Sequence, residues 1–175
     1  MSDFAHRLAI DQIRDGDRLD LVADESECAA VADRLGLLCL DRFEAHAVLT
    51  REGQKVRAAG RIRASLDQAC VATGDPVPAH VDEPFELVFL PEPRPGSADE
   101  EIELESNELD TLFHDGSAID LGGALADTLA LALDPYPRSA GADAALKEAG
   151  VLSEEEAGPF AALAALKTKL GGGGP

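Results

Sequence analysis

At 175 residues the chain has the length of one domain, or one domain with a tail, and is long enough to bury a real core. Apolar residues reach 45% but aromatics only 4%, with no tryptophan, so alanine, leucine and valine must fill the interior; no apolar stretch is long enough to cross a membrane as a helix. A net charge of -19 excludes long-range attraction to a phosphate backbone and makes basic proteins the easiest partners. The opening stretch MSDFAHRLAIDQIRDGD has no basic lead followed by an apolar run, so no secretory signal is expected. Cys28, Cys39 and Cys70 are few and odd in number, which argues against a disulfide framework and for a reducing compartment, with the cytoplasm as the expected location.

In chain order, FAHRLAI (4–10) alternates weakly and predicts a short strand. DGD turns the chain, and RLDLVA (18–23) reads as a second strand. A helix follows, capped by Asp24 or Ser26, with acids in its first turn and Gly36 at its end. From residue 37 the period changes to two. Phe43, Ala45, Ala47 and Leu49 share one face, and Glu44 and His46 take the other. After REGQ, Val56, Ala58, Ile62, Ala64 and Leu66 face one side of the next strand. Past a Gly-Asp-Pro turn, Phe85, Leu87 and Phe89 share a face, and Pro84 marks an edge or a bulge. Short turns between strands spanning 37–90 predict an antiparallel meander.

Residues 91–100 read as a flexible acidic loop, and 101–106 as a strand with Glu101, Glu103 and Glu105 outward. SAIDLGGALADTLALALDPYPR (117–138) predicts a helix with Asp120 as N-cap and Leu121, Leu125, Leu129 and Leu133 on one face. Asp134 precedes a proline and ends it. Gly122 and Gly123 are costly there unless they permit close packing. Pro159 opens a C-terminal helix whose apolar stripe is Phe160, Leu163, Leu166 and Leu170, before a flexible GGGGP end.

Three features carry the functional reading. Arg51, Lys55, Arg57, Arg61 and Arg63 share one parity. Residues two apart on a strand rise about 6.6 Å, close to two steps of about 3.4 Å along a nucleic-acid strand. They form a candidate RNA- or partner-binding face. The competing reading is that Glu44, Glu86 and Glu101 to Glu105 pair with them across strands, and it is favoured because such surface pairs are common. Cys70 ends an alternating run beside a tight turn, and is read as metal ligand, nucleophile or core thiol. The four histidines are scattered, His80 alone being able to approach it, and Asp67 and Asp75 should raise its pKa, so packing is favoured and no metal is expected. Tyr136, the only tyrosine, is either a partner contact or packs over the helix end, the latter favoured. Phe160, Leu163 and Leu166 either dock back on the body, the default, or recognise another protein. No P-loop, G-x-S-x-G, H-E-x-x-H or dinucleotide glycine motif is present, so no catalytic residue, cofactor or enzyme activity is expected.

Taken in order, these segments resemble the YceD-like family, the large ribosomal RNA subunit accumulation proteins. The matching residues are Val56, Gly60, Ile62, Ala64 and Cys70; Ile119, Asp120, Leu121, Pro135, Tyr136 and Pro137; and Pro159, Phe160, Leu163, Leu166 and Lys167. The resemblance runs in segments over residues 40–170. It implies a cytoplasmic, non-catalytic factor in ribosome biogenesis that supports accumulation of large-subunit ribosomal RNA. Many relatives carry further cysteines near Cys70, where this chain has Val71, Ala72, Thr73 and Gly74, so the resemblance implies no metal site here.

The expected fold is α+β: a curved antiparallel sheet over roughly 4–106, with a partial barrel as its limiting form, covered by helices. Residues 1–140 are expected to form one domain with an acidic loop at 91–100, and 141–175 a C-terminal helical segment and tail. The expected partner is a basic ribosomal or RNA-processing protein, with ribosomal RNA reached through it. The alternative is direct RNA binding on the Arg51 to Arg63 face.

Overall fold

A capping box starts the first long helix. Asp24 accepts from the Glu27 amide at 2.9 Å, and the Glu27 carboxylate accepts from the Asp24 amide at 3.0 Å. Helix α1 spans Glu25–Leu35 and stops at Gly36, whose left-handed φ of 66° suits a residue without Cβ. These details come from a computed structural model, which describes residue 4 and residues 6–93 and 111–151. Before α1 come strand β1 (Arg7–Ala9), one 3-10 turn (Ile10–Gln12) and strand β2 (Asp17–Val22).

The alternating region forms β3 (Cys39–Glu52), β4 (Lys55–Ala69) and β5 (Pro76–Pro91), and with β2 these make the expected antiparallel meander. The predicted faces hold: Phe43, Ala45, Ala47, Leu49, Val56, Ala58, Ile62, Ala64, Leu66, Phe85, Leu87 and Phe89 are all buried. Opposite residues in an antiparallel ladder share a face, so one long apolar surface results. A register shift between Leu40 and Arg42 bends β3 near its start. Pro84 stands opposite Arg61, in a part of β5 whose other edge meets no strand among the described residues.

The sheet departs from expectation at its ends. Strand β6 (Thr111–His114) pairs parallel to Val88–Pro91 of β5, so the five-stranded sheet β2-β3-β4-β5-β6 is mixed. A parallel pair needs a connection of a dozen or more residues, and Pro91 and Thr111 are far enough apart in sequence to allow one. The sheet does not close into a barrel: among the described residues β2 and β6 are its two edges. Strand β1 lies outside it, paired with β7 (Ala118–Asp120). The strand predicted at 101–106 and the helix predicted from Pro159 lie outside the described residues.

Helix α2 (Leu121–Ala132) covers the apolar face. Asp120 caps it by accepting from the Gly123 amide at 3.0 Å. Leu121, Leu125 and Leu129 are fully buried, as their spacing predicts, while Leu133 is the C-cap and only partly buried. The helix begins at the predicted cap Asp120 and has its C-cap at Leu133, one residue before the predicted stop at Asp134, while residues 118–120 ahead of it form β7. At Gly122 a Cβ would overlap the Phe4 carbonyl oxygen and crowd the His6 amide, so the glycine is what lets the backbone ahead of β1 approach α2. Phe4 in turn packs on Phe43, ring centroids 5.1 Å apart. Arg34 of α1 pairs with Asp127 of α2. The short helix α3 (Ala142–Glu148) follows, seated through the buried Ala142. His114, also buried, donates from Nε2 to the Gln54 carbonyl at 2.9 Å and accepts at Nδ1 from the Gly116 amide at 3.0 Å, so both ring nitrogens are satisfied.

Candidate interaction surface

With helices on one face, no element among the described residues covers the other face of the sheet, and its ladder rows are charged. One row reads Asp20, His46, Arg61, Pro84; the next reads Val22, Glu44, Arg63, Asp82. The curvature of the sheet leaves a shallow cleft of about 530 Å³ lined by Asp20, Val22, Glu44, His46, Arg61 and Arg63.

Almost every charge here has a neighbour of opposite sign. Arg61 Nε lies 2.8 Å from the Asp82 carboxylate and Arg63 Nε 3.5 Å from it. Arg57 meets Glu86 at 2.6 Å, Arg42 meets Glu44 at 2.7 Å, and His46 Nδ1 is 2.6 Å from Asp20. The Arg61 side chain, bonded to Asp82, holds that carboxyl below the usual range, with Arg63 adding to it. The Arg57–Glu86 and Arg61–Asp82 pairs are about half exposed and so contribute little to stability. Their effect is on recognition, since an anion must compete with carboxylates already in place. Glu44 and Glu86 were legible as outward acids. Asp82 was missed, although Phe85, Leu87 and Phe89 already put even-numbered β5 residues outward.

Arg51 does not belong to this face. The hairpin turns at Gly53 and Gln54, so Arg51 lies on β3 opposite Val56, on the helix-covered side. Odd residues face the core in β3 and even ones in β4, and a parity count carried through the turn fails. The Arg51 guanidinium instead donates to the carbonyls of Ile10, Ile13 (3.3 Å) and Gly53 (2.9 Å), tying the 3-10 turn to the hairpin. Lys55 stands opposite Glu52 at the hairpin end.

Cys70 is buried, as expected of a core thiol, but its surroundings differ from those expected. Its Sγ accepts from the Ser139 amide at 3.3 Å and the Ser139 hydroxyl at 3.4 Å. The Ser139 hydroxyl, the Ser139 amide and the Thr73 hydroxyl together lower the thiol to about 6, outweighing burial. The expected upward push from Asp67 and Asp75 is therefore overturned. Ser139 is distant in sequence, and no local pattern pointed to it. His80 does not approach Cys70; its Nδ1 lies 3.1 Å from the Ser65 hydroxyl, the residue opposite it on β4. Cys28 is pushed up mainly by burial, and Cys39 by burial and the Asp67 carboxylate. Among the described residues no three metal-ligating side chains come together, and no helix is long and apolar enough to cross a membrane.

The Val71 amide donates to the Pro137 carbonyl at 2.9 Å, so the turn after β4 is tied to the DPYPRS segment after α2. Tyr136 does not pack over the helix end: it is 73% exposed, held out between Pro135 and Pro137. Its amide donates to the Asp134 carboxylate at 2.9 Å, and that local turn aims the ring at solvent. Phe160, Leu163 and Leu166 lie outside the described residues.

No curated protein and no solved structure matches the chain. One family model does: that of the large ribosomal RNA subunit accumulation protein YceD, over residues 58–167. The match takes in most of β4, the Cys70 turn, β5, α2 and the Tyr136 segment just described. Because it spans more than half of the 175 residues, the chain belongs to the YceD family.

Proposed function

We propose that this chain is a non-catalytic ribosome-biogenesis factor that supports the accumulation and processing of large-subunit ribosomal RNA in the cytoplasm. It does so by binding a basic ribosomal or RNA-processing protein and reaches RNA through that partner. The family description supplies the pathway. The observation that carries the mechanism is the state of the outward arginines: Arg57, Arg61 and Arg63 sit against Glu86 and Asp82 on a body of net charge -19. A phosphate would displace carboxylates locally and meet repulsion at long range, whereas a basic protein surface meets neither obstacle. Affinity capture of the intact chain from cells lacking the endogenous protein tests this. Basic large-subunit proteins should be recovered, and recovery should fall as salt rises. Tight retention of free RNA with no bound protein would overturn it.

Direct RNA binding is the second reading, supported by the alignment of Arg57, Arg61 and Arg63 along one strand beside the cleft. It requires Arg61→Glu with Arg63→Glu to abolish RNA binding while leaving the thermal transition in place. The first reading predicts no such loss.

A further inference from the structure

At the end of the fold where α1, the β4–β5 turn and the end of α2 meet, the surface is apolar and grooved. The groove holds about 390 Å³ and its walls include Leu35, Leu37, Val71, Leu133, Pro135 and Pro137. Of its walls Val71 is 54% exposed, and Leu38, Leu131 and Tyr136, each next in sequence to a wall residue, are 52%, 84% and 73% exposed. An apolar groove open to solvent on a strongly charged chain has the character of a contact surface. Asp134 is the only charged residue lining it among those described.

We infer that the groove is the docking site of this chain's own C-terminal segment, PFAALAALKTKL (159–170). Three observations select this occupant. The first is chemistry. The segment carries Phe160, Leu163, Leu166 and Leu170 at helical spacing, and its only charges are Lys167 and Lys169. It is thus apolar and basic in an acidic chain, the complement of an apolar groove with an aspartate in its wall. An isolated helix of this length is marginal in water and depends on burying its apolar stripe.

The second is reach. Ser139 is fastened to Cys70 beside the groove, and α3, only seven residues long, carries the chain about 10 Å. The seven residues 152–158 then span up to about 24 Å. A tether of that length holds the segment at a millimolar effective concentration. The third is the family match, which covers the groove's β4–β5 and α2 walls and continues through Lys167, so groove and segment belong to one shared unit.

Tyr136 is the only tyrosine and there is no tryptophan, so intrinsic fluorescence reports from the position between the groove-lining Pro135 and Pro137. The test compares the full chain with Leu163→Asp/Leu166→Asp and with Val71→Asp, using acrylamide quenching of Tyr136 and amide hydrogen exchange at 68–71 and 130–137. Both variants should expose Tyr136 to quencher and speed exchange about tenfold. Combining them should add nothing further, and a synthetic 159–170 peptide added to the segment variant should restore protection. Equal quenching and exchange in all proteins would overturn the proposal. So would protection that disappears on dilution, which would make a second copy the occupant. The segment substitutions leave every described core residue in place, so the comparison survives even if Val71→Asp fails to fold. The assembly role proposed above does not depend on this docking.

Discussion

Gly60 has ordinary strand geometry, yet no other residue fits there. It sits in the middle of β4 opposite Ala47. A Cβ at this position would overlap the His46 carbonyl oxygen, with that carbonyl's carbon 2.9 Å away and the Ala47 Cα 3.0 Å away. The oxygen is the tightest contact, far inside the roughly 3.3 Å at which a carbon meets a carbonyl oxygen, so Gly60→Ala must open the β3–β4 ladder by more than about 1 Å. Every obstructing atom is backbone, which cannot rotate aside. The neighbours above and below, Ala58 and Ile62, are fully buried, as is Ala47 across the ladder, so the shift propagates into the core. Overpacking of a dense interior costs about 1–3 kcal/mol, and a weakened ladder bond adds about 1 kcal/mol. A loss of about 2–4 kcal/mol is expected, read as a lower urea midpoint at unchanged slope. Ala59→Ser, on the outward side of the same strand, should stay within about 0.5 kcal/mol. If Gly60→Ala costs less than about 1 kcal/mol, the close approach at His46 is not a constraint on this fold.

Two further outcomes are expected. Asp24→Ala removes one half of the capping box and should destabilise the protein by about 1 kcal/mol, with exchange speeding first in the opening turn of α1, followed by residue-resolved amide exchange. For Cys70, the Ser139 and Thr73 bonds place the folded thiol at about 6 against an ordinary 9.0. A group with a lowered folded pKa stabilises the fold fully above its unfolded value, and loses that contribution as pH falls through the folded one. Wild-type stability should therefore rise from about pH 6 to about pH 9 relative to Cys70→Ala, and Ser139→Ala should flatten the difference; parallel urea midpoints across that range would contradict the assignment.

Much of the fold was legible because period and punctuation agree. Val56 to Leu66 and Phe85 to Phe89 alternate without ambiguity, and Asp24, Gly36 and Asp120 do at helix ends what their chemistry favours. The errors lie where structure depends on partners distant in sequence. Strand β6 is four residues long and joins the sheet in parallel, which local pattern cannot announce. Strands β1 and β7 have three residues each and exist through each other. The arginine stripe was legible in Arg57, Arg61 and Arg63, whereas Arg51 was misassigned because a two-residue turn exchanges inward and outward parity. The Cys70 environment was not legible at all, since Ser139 arrives by way of α2.

The family match begins at Ala58, partway along β4, yet β4 spends its length between two neighbours. Phe43, Ala45, Ala47 and Leu49 of β3 lie upstream of that boundary, as do Cys28, Val31 and Ala32 of α1, and all of them belong to the same core. An expression fragment cut at the family limits would leave β4 as a bare edge beside an uncovered aliphatic surface. Such a fragment would aggregate rather than fold, so the recognisable signature is smaller than the smallest unit that can stand alone.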